Sequence, residues 1–376
     1  MSTYVTKPFL PPLEEFMPYL DQIWESRILS NGGEFHQLFE KRLCQSLGVN
    51  HISLLNNGTM ALLLALKSLE IENADVITTP YSFVATSNSL LWTNNTPVFA
   101  DIEKNSPNID PVKIEPLITE KTKAILAVHC YGFPCRTHSL QKLASRYGLK
   151  IIYDAAHAFG VNTKTGSLLN EGDLSILSFH ATKVFNTFEG GAIVCHNSEL
   201  KSKIDRLKNF GYMDELHIAE SGINAKMNEV SAAMGLLQLQ YFDSVLQKRS
   251  IIDKFYRKNL DSVTGITCLE NPLAHRSNFA YFPILVEDSF SMSRDLLHEK
   301  LKSHGVYARR YFFPLISDFI PYRHLPSAQK DHLPYATKMA QKVLCLPIFP
   351  EMPLETAQII VDTIQSCQFT ETTCQL

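Results

Sequence analysis

Leu174-Ser175-Ile176-Leu177-Ser178-Phe179-His180-Ala181-Thr182-Lys183 is the stretch that decides the architecture of this chain. Its first six residues form an apolar run of strand length, and Ala192-Ile193-Val194-Cys195, beyond Glu189-Gly190-Gly191, forms another. Strands that are apolar on both faces belong in a sheet covered by helices on both sides. Lys183 then leaves a rigid sheet edge on a short loop, where a desolvated ε-amine can attack a carbonyl and hold it as a Schiff base. Taken alone, a solvated loop lysine is the commoner reading, and the functional one needs the context that follows.

Upstream, Lys150-Ile151-Ile152-Tyr153-Asp154 reads as an apolar strand ending in an acid, continued by Ala155-Ala156-His157-Ala158. Ligands of open α/β sheets gather beyond the carboxyl ends of the strands, so Asp154 is placed to hold a cationic ring nitrogen. A carboxylate there keeps such a ring protonated and able to absorb the electrons of a carbanion. The alternative is a helix N-cap, a position Asp also favours. A third element, His51-Ile52-Ser53-Leu54-Leu55-Asn56-Asn57-Gly58-Thr59-Met60, runs from strand to turn and into the helical Ala61-Leu62-Leu63-Leu64-Ala65-Leu66-Lys67. The unpaired amides and positive dipole end of that helix offer Gly58, Thr59 and Met60 to a phosphate. Asn-Gly-Thr is also an ordinary strand-to-helix turn.

Seven strand candidates, 51–55, 75–79, 97–101, 124–129, 150–154, 174–179 and 191–196, have helical stretches between most of them. This pattern predicts an α/β fold with one mostly parallel seven-stranded sheet. Long amphipathic helices follow at 200–209 and 228–255, then a strand at 281–286. At 376 residues the chain exceeds one core, so we expect a large domain with an N-terminal arm over 1–245 and a smaller α+β C-terminal domain over 246–376. The polar, Thr-rich tail 366–376 is expected to be loosely ordered.

A net charge of −3 with 19% charged residues gives no bulk attraction to nucleic acid or anionic membrane. The eight cysteines show no zinc-type pairing, and no apolar run approaches membrane-spanning length. A cytoplasmic protein with free thiols, no metal site, no nucleic-acid partner and no membrane is the expectation. No Gly-x-Gly-x-x-Gly follows a strand, which removes a nicotinamide dehydrogenase from consideration.

Taken in order, Asn57-Gly58-Thr59-Met60-Ala61-Leu62, Thr79-Pro80-Tyr81-Ser82-Phe83-Val84-Ala85-Thr86, Asp154-Ala155-Ala156-His157-Ala158, Ser178 to Lys183 with Glu189-Gly190-Gly191, and Gly222-Ile223-Asn224-Ala225-Lys226-Met227 resemble the DegT/DnrJ/StrS sugar aminotransferases, a group of fold-type I pyridoxal-phosphate enzymes. The resemblance covers nearly the whole chain. It implies that Lys183 forms the Schiff base with pyridoxal 5'-phosphate and Asp154 pairs with the ring nitrogen. Phe83 would stack on the ring and His157 would lie beside its 3-hydroxyl. Gly58, Thr59 and Ser178 would hold the phosphate, which Asn224 would reach from the partner subunit of a homodimer. Taken singly, Phe83 reads as core and His157 as a structural histidine.

Two segments remain for a substrate. Ser30-Asn31-Gly32-Gly33, with the arm around Lys7-Pro8-Phe9, lies by the sugar nucleotide in the family, which makes Asn31 a candidate. Arg309-Arg310-Tyr311 can offer charge to a pyrophosphate and a flat face to a base or sugar, or can be a strand edge packed on the core. The resemblance implies transfer of an amino group from L-glutamate to a nucleotide-linked keto-deoxysugar. It looks most like the viosamine-type branch, which aminates dTDP-4-keto-6-deoxyglucose at C4 for O-antigen or another polysaccharide. Amination at C3 of a dTDP-3-keto-6-deoxyhexose is the neighbouring alternative. Relatives with His at the lysine position act as dehydratases, and a regulatory protein on the same scaffold could dispense with both Asp154 and Lys183; this chain keeps both.

Overall fold

The strands form because their residues are apolar on successive positions and are covered on both faces: Lys150–Asp154 and Gly191–Cys195 are buried almost throughout. In the computed structural model, which describes residues 2–369, seven strands make one sheet. Their order across it is His51–Leu55, Gly191–Cys195, Leu174–Ser178, Lys150–Asp154, Thr122–Val128, Asp75–Thr78 and Thr96–Phe99. Gly191–Cys195 runs antiparallel to both neighbours, and the other neighbouring pairs are parallel. The mostly parallel seven-stranded sheet expected from the sequence is therefore present.

Strand ends depart from the sequence pattern where side chains are drawn elsewhere. The expected strand 97–101 is observed as Thr96–Phe99. Asp101 instead turns its carboxylate to the helix Pro334–Lys342, accepting the N–H groups of Tyr335 and Ala336 at 3.0 and 2.8 Å. Likewise His129 leaves the strand Thr122–Val128 because the tight turn Cys130–Gly132 follows at once.

The helix Glu229–Leu260 has 32 residues and is about 48 Å long. Ala232, Leu237, Phe242 and Leu246 on its first part join the core under the large sheet. Ile252, Tyr256 and Leu260 join a second core, built on the antiparallel sheet Ile266–Cys268, Phe282–Val286 and Val343–Leu346. Along this helix one core gives way to the other between Leu246 and Ile252. Thr3–Tyr4 pairs with Val306–Tyr307, so the first residues reach over to the second core. At the other end, Leu354–Ser366 is helical and Cys367–Phe369 forms a turn; the remainder of the tail expected to be loose, 370–376, lies outside the described residues.

Where the long helix crosses the helix Glu34–Leu47, a Cβ on Gly235 would sit 2.2 Å from the Phe39 ring, which is fully buried. The ring has nowhere to move in a close-packed core. Gly235→Val is expected to lower stability by about 2–3 kcal/mol, read as a lower urea midpoint by circular dichroism; an unchanged midpoint would contradict this packing.

Candidate active site

The parallel strands deliver their functional residues at their carboxyl ends. Asp154 closes its strand, and its main chain is held by the N–H of His129 at 3.0 Å. Its carboxylate is buried and accepts from Thr86 Oγ1 at 2.7 Å and from the Ala156 N–H at 3.1 Å. Burial pushes the carboxyl up, against the pull of the Thr86 and Ala156 hydrogen bonds and the Lys183 charge.

Lys183 follows the strand Leu174–Ser178 on a loop pinned by its own N–H to His180 O at 2.9 Å. The side chain keeps partial exposure, yet the protein packed around the ammonium is dense enough to lower its pKa to about 8. Desolvation is the leading cause, opposed by Asp154 and Cys130. Lys183 lines a narrow cleft with His157, Thr182, Asn278 and Tyr281. His157 Nδ1 accepts the Tyr131 N–H at 3.1 Å, so the neutral ring carries its hydrogen on Nε2. Burial first, and the Lys183 charge second, hold that imidazole well below its usual pKa. Asn278 anchors the His157 carbonyl at 2.8 Å, and the Tyr281 ring lies 4.7 Å from the imidazole.

At the turn after His51–Leu55, Asn57 caps the helix Gly58–Ser68 by accepting the Met60 N–H at 2.8 Å. Met60's amide is therefore taken, a correction to its expected place among the free donors; Gly58 and Thr59 keep first-turn amides without an intrahelical partner. Close packing builds this turn: a Cβ on Gly58 would lie 2.9 Å from Ser178 Cβ, and one on Gly191 would lie 2.5 Å from the Asn57 carbonyl. Ser178 Oγ thus sits beside the helix start. Phe83, on the segment before the helix Ala85–Trp92, is 60% exposed and not core.

Asn224 lies exposed on the segment after Asn209, to which it is bridged, and among the described residues its side chain makes no hydrogen bond. Neighbouring Ala225 accepts the Asn56 N–H at 2.9 Å, tying this segment to the turn at Gly58. Asn31, with a φ of 66°, lines a separate groove with Arg27, Ile28 and Gln37. Arg309 pairs through its backbone with Cys345 and leaves its side chain exposed. Arg310 is turned to the helix Arg294–Ser303, 3.0 Å from Asp295 and 3.8 Å from Glu299, so its charge is already answered by acids. Tyr311 packs its ring edge-on at 5.8 Å against Tyr281, a wall of the cleft. The sequence reading assigned nothing to Thr86, Tyr131, Asn278 or Tyr281; Thr86 alone carried a local signal, one helical turn after Phe83. No group of three or more His, Cys, Asp or Glu among the described residues is arranged to hold a metal.

A model of the DegT/DnrJ/EryC1/StrS aminotransferase family matches residues 13–365. Over 362 residues the chain is 53% identical to a dTDP-4-amino-4,6-dideoxy-D-glucose transaminase of Shigella dysenteriae, covering 96% of this chain and 98% of that one. An Escherichia coli protein of the same description is 52% identical over 349 residues, covering 93% and 94%. Among solved structures, DesI in the presence of its TDP-sugar product superposes with a TM-score of 0.93 at 33% identity, over 98% of this chain and 93% of that one. Helicobacter pylori PseC, an aminotransferase, superposes with a TM-score of 0.90 at 31% identity, over 98% and 99%.

Because Lys183 has a folded pKa of about 8 against an ordinary 10.5, between those values the unfolded chain binds a proton the folded chain has lost, and stability from this position rises with pH. In the ligand-free chain, Lys183→Met is expected to be more stable than the parent near pH 7. The difference should shrink as pH climbs from 8 to 10.5 in urea titrations; a constant gap would place the ammonium in water.

Proposed function

The chain belongs to the DegT/DnrJ/EryC1/StrS aminotransferase family, and from that membership we propose that it transfers the amino group of L-glutamate to C4 of dTDP-4-keto-6-deoxy-D-glucose, giving dTDP-4-amino-4,6-dideoxy-D-glucose. The observation that carries the choice of sugar is identity above 50%, over nearly full length, to two proteins of that activity. Supply of an amino sugar for O-antigen or another surface polysaccharide is part of the same reading.

The family's cofactor is pyridoxal 5'-phosphate, and the residues at the sheet edge fit it. The fit rests on a turn where Gly58 and Gly191 leave no room for a Cβ, on an aromatic ring at Phe83 that is exposed beside a buried acid, and on a desolvated lysine. Bound there, the cofactor supplies an electron sink for the carbanion left when the amine-bearing carbon loses its proton. Gly58 and Thr59 would donate their amides, and Ser178 its hydroxyl, to the phosphate. Asp154 would face the ring nitrogen as a carboxylate, Phe83 would cover one ring face, and His157 would donate from Nε2 to the 3-oxygen. Lys183 Nζ would hold the carbonyl carbon covalently and, once displaced, take the proton from the substrate carbon and return it across the same face. A lysine with a pKa of about 8 is partly neutral near neutral pH, the form such a base requires.

A homodimer belongs to this proposal, with Asn224 of the partner subunit completing the phosphate site. It is supported by Met213, Leu216 and Ile218, exposed apolar side chains on the segment leading to that residue. Asn31, Arg309 and Tyr311 are assigned to the sugar nucleotide, with Arg310 a support fixed by Asp295. The division into lobes of 1–245 and 246–376 is supported by the change of core between Leu246 and Ile252. Among the described residues, no helix is long and apolar enough to cross a membrane. A cytoplasmic location is supported by thiols that stand free at Cys44, Cys130, Cys135, Cys195, Cys268 and Cys345.

Incubation of the purified protein with pyridoxal phosphate, L-glutamate and dTDP-4-keto-6-deoxyglucose is expected to yield a sugar whose new amine NMR places at C4. Lys183→Ala should lower turnover by about a thousandfold or more. Amination of the 3-keto isomer alone, or full activity of the variant, would overturn the reading.

A further inference from the structure

Thr86 is fully buried, and its hydroxyl lies between two oxygens, Asp154 Oδ2 at 2.7 Å and Ser82 Oγ at 2.8 Å. With Asp154 ionised, the direction of both hydrogen bonds follows. An ionised carboxylate accepts only, so Thr86 must donate to Asp154, and the Thr86 oxygen is then left to accept from Ser82. Ser82 is itself 4% exposed, so bulk water does not compete for either hydroxyl. Resting on the proposed function, we propose that Ser82 and Thr86 are positioning residues: a two-hydroxyl relay that orients the Asp154 carboxylate and holds it ionised against the cofactor's ring nitrogen.

The backbone is built to keep this relay in register. The Thr86 N–H bonds the Phe83 carbonyl at 3.1 Å, and the Thr86 carbonyl accepts Ser89 Oγ at 2.8 Å. A β-branched side chain on a fixed turn has few χ1 choices, so its hydroxyl stays aimed. The same turn exposes Phe83, which means that one short segment, Ser82 to Thr86, sets the angle of the carboxylate and presents the aromatic face together. Other groups acting on Asp154 are the Ala156 N–H on Oδ1 and the Lys183 charge, with the Cys130 thiol nearby. Lys183 supports the anion only while it is protonated. The relay supports it at every stage, because neither hydroxyl titrates in the working range. In a chain of two, the first hydroxyl polarises the second and strengthens its bond to the anion.

The test loads the full chain with pyridoxal phosphate carrying 15N in the ring and compares the parent with Thr86→Val, Thr86→Ser and Ser82→Ala. Thr86→Val keeps the side-chain volume and deletes the hydroxyl. In the parent and Thr86→Ser the ring nitrogen should show the protonated 15N shift near neutral pH. In Thr86→Val the shift should move toward the unprotonated value, and kcat should fall about ten- to a hundredfold with KM little changed, the scale of one hydrogen bond to a buried charge. Ser82→Ala should move both readouts the same way by less. A Thr86→Val protein that keeps the parent's shift and kcat would overturn the relay while leaving the proposed function standing. Equal losses in Thr86→Val and Thr86→Ser would also overturn it, since packing and not the hydroxyl would then matter. A parent that takes up no label would instead overturn the proposed function.

Discussion

A carboxylate and an ammonium are both kept short of water beyond the carboxyl ends of two neighbouring parallel strands, and the rest of the structure is arranged around that constraint. Their pKa values move against their mutual attraction: Asp154 is raised and Lys183 lowered, with burial the leading cause in both. If charge pairing dominated, the two shifts would have the opposite signs. Desolvation therefore wins, and each group is held closer to neutrality than water would allow. Such a pair is poor as a salt bridge and well suited to chemistry, because each member can gain or lose a proton at modest cost. What prevents the acid from simply neutralising is the set of short, fixed donors around it, from Thr86 and Ala156.

Holding those donors in place is the work of the fold. The sheet fixes Asp154 between Thr122–Val128 and Leu174–Ser178, so the strand that carries the acid neighbours the strand that leads to the lysine. Around them the long helix and the N-terminal arm join the two cores. The Phe9 carbonyl accepts from Asn186, on the loop after Lys183, and from Gln238 on the helix, while Thr3–Tyr4 pairs with Val306–Tyr307. Arg249, buried on the same helix, donates to the carbonyls of Phe279 and Ile348, next to the segment that carries Asn278 and Tyr281 into the cleft. Asn278 and Tyr281, carried beside this second core, thus wall a cleft whose lysine follows a strand of the large sheet.

This division explains how far the sequence could be read. The seven strands were legible because burial on both faces writes itself as an apolar run; Asp154 stands out as the acid that ends one, and Lys183 as the lysine on the loop that follows another. Asp101 was misplaced by the same logic: its partners, Tyr335 and Ala336, lie more than two hundred residues away, and no local period encodes them. Met60 was over-assigned because the Asn57 cap consumes its amide, a detail of side-chain direction and not of motif. Tyr131, Asn278 and Tyr281 carried no signal, since their importance is that they touch His157.

The same reasoning says why the chemistry is easier to read than the sugar. The candidate reactive residues sit at or just beyond strand ends, where a strong pattern surrounds them. The candidates for recognition sit on connecting segments at Asn31 and at Arg309 to Tyr311, where placement is set by contacts across the molecule. Of the two adjacent arginines, Arg310 is drawn to Asp295 and Glu299, so its positive charge is largely cancelled before any ligand arrives. Among the described residues Arg309 is anchored only through its backbone, and its side chain is exposed. A guanidinium without an acid beside it attracts a diphosphate more strongly than one already paired, because the ligand need not displace a partner. That preference concerns the nucleotide's phosphates and is the same for any nucleotide sugar. In the proposed reaction, the choice of carbon to be aminated would depend on how the sugar ring is tilted against Phe83 and Lys183, a matter of shape in which no single residue type is diagnostic.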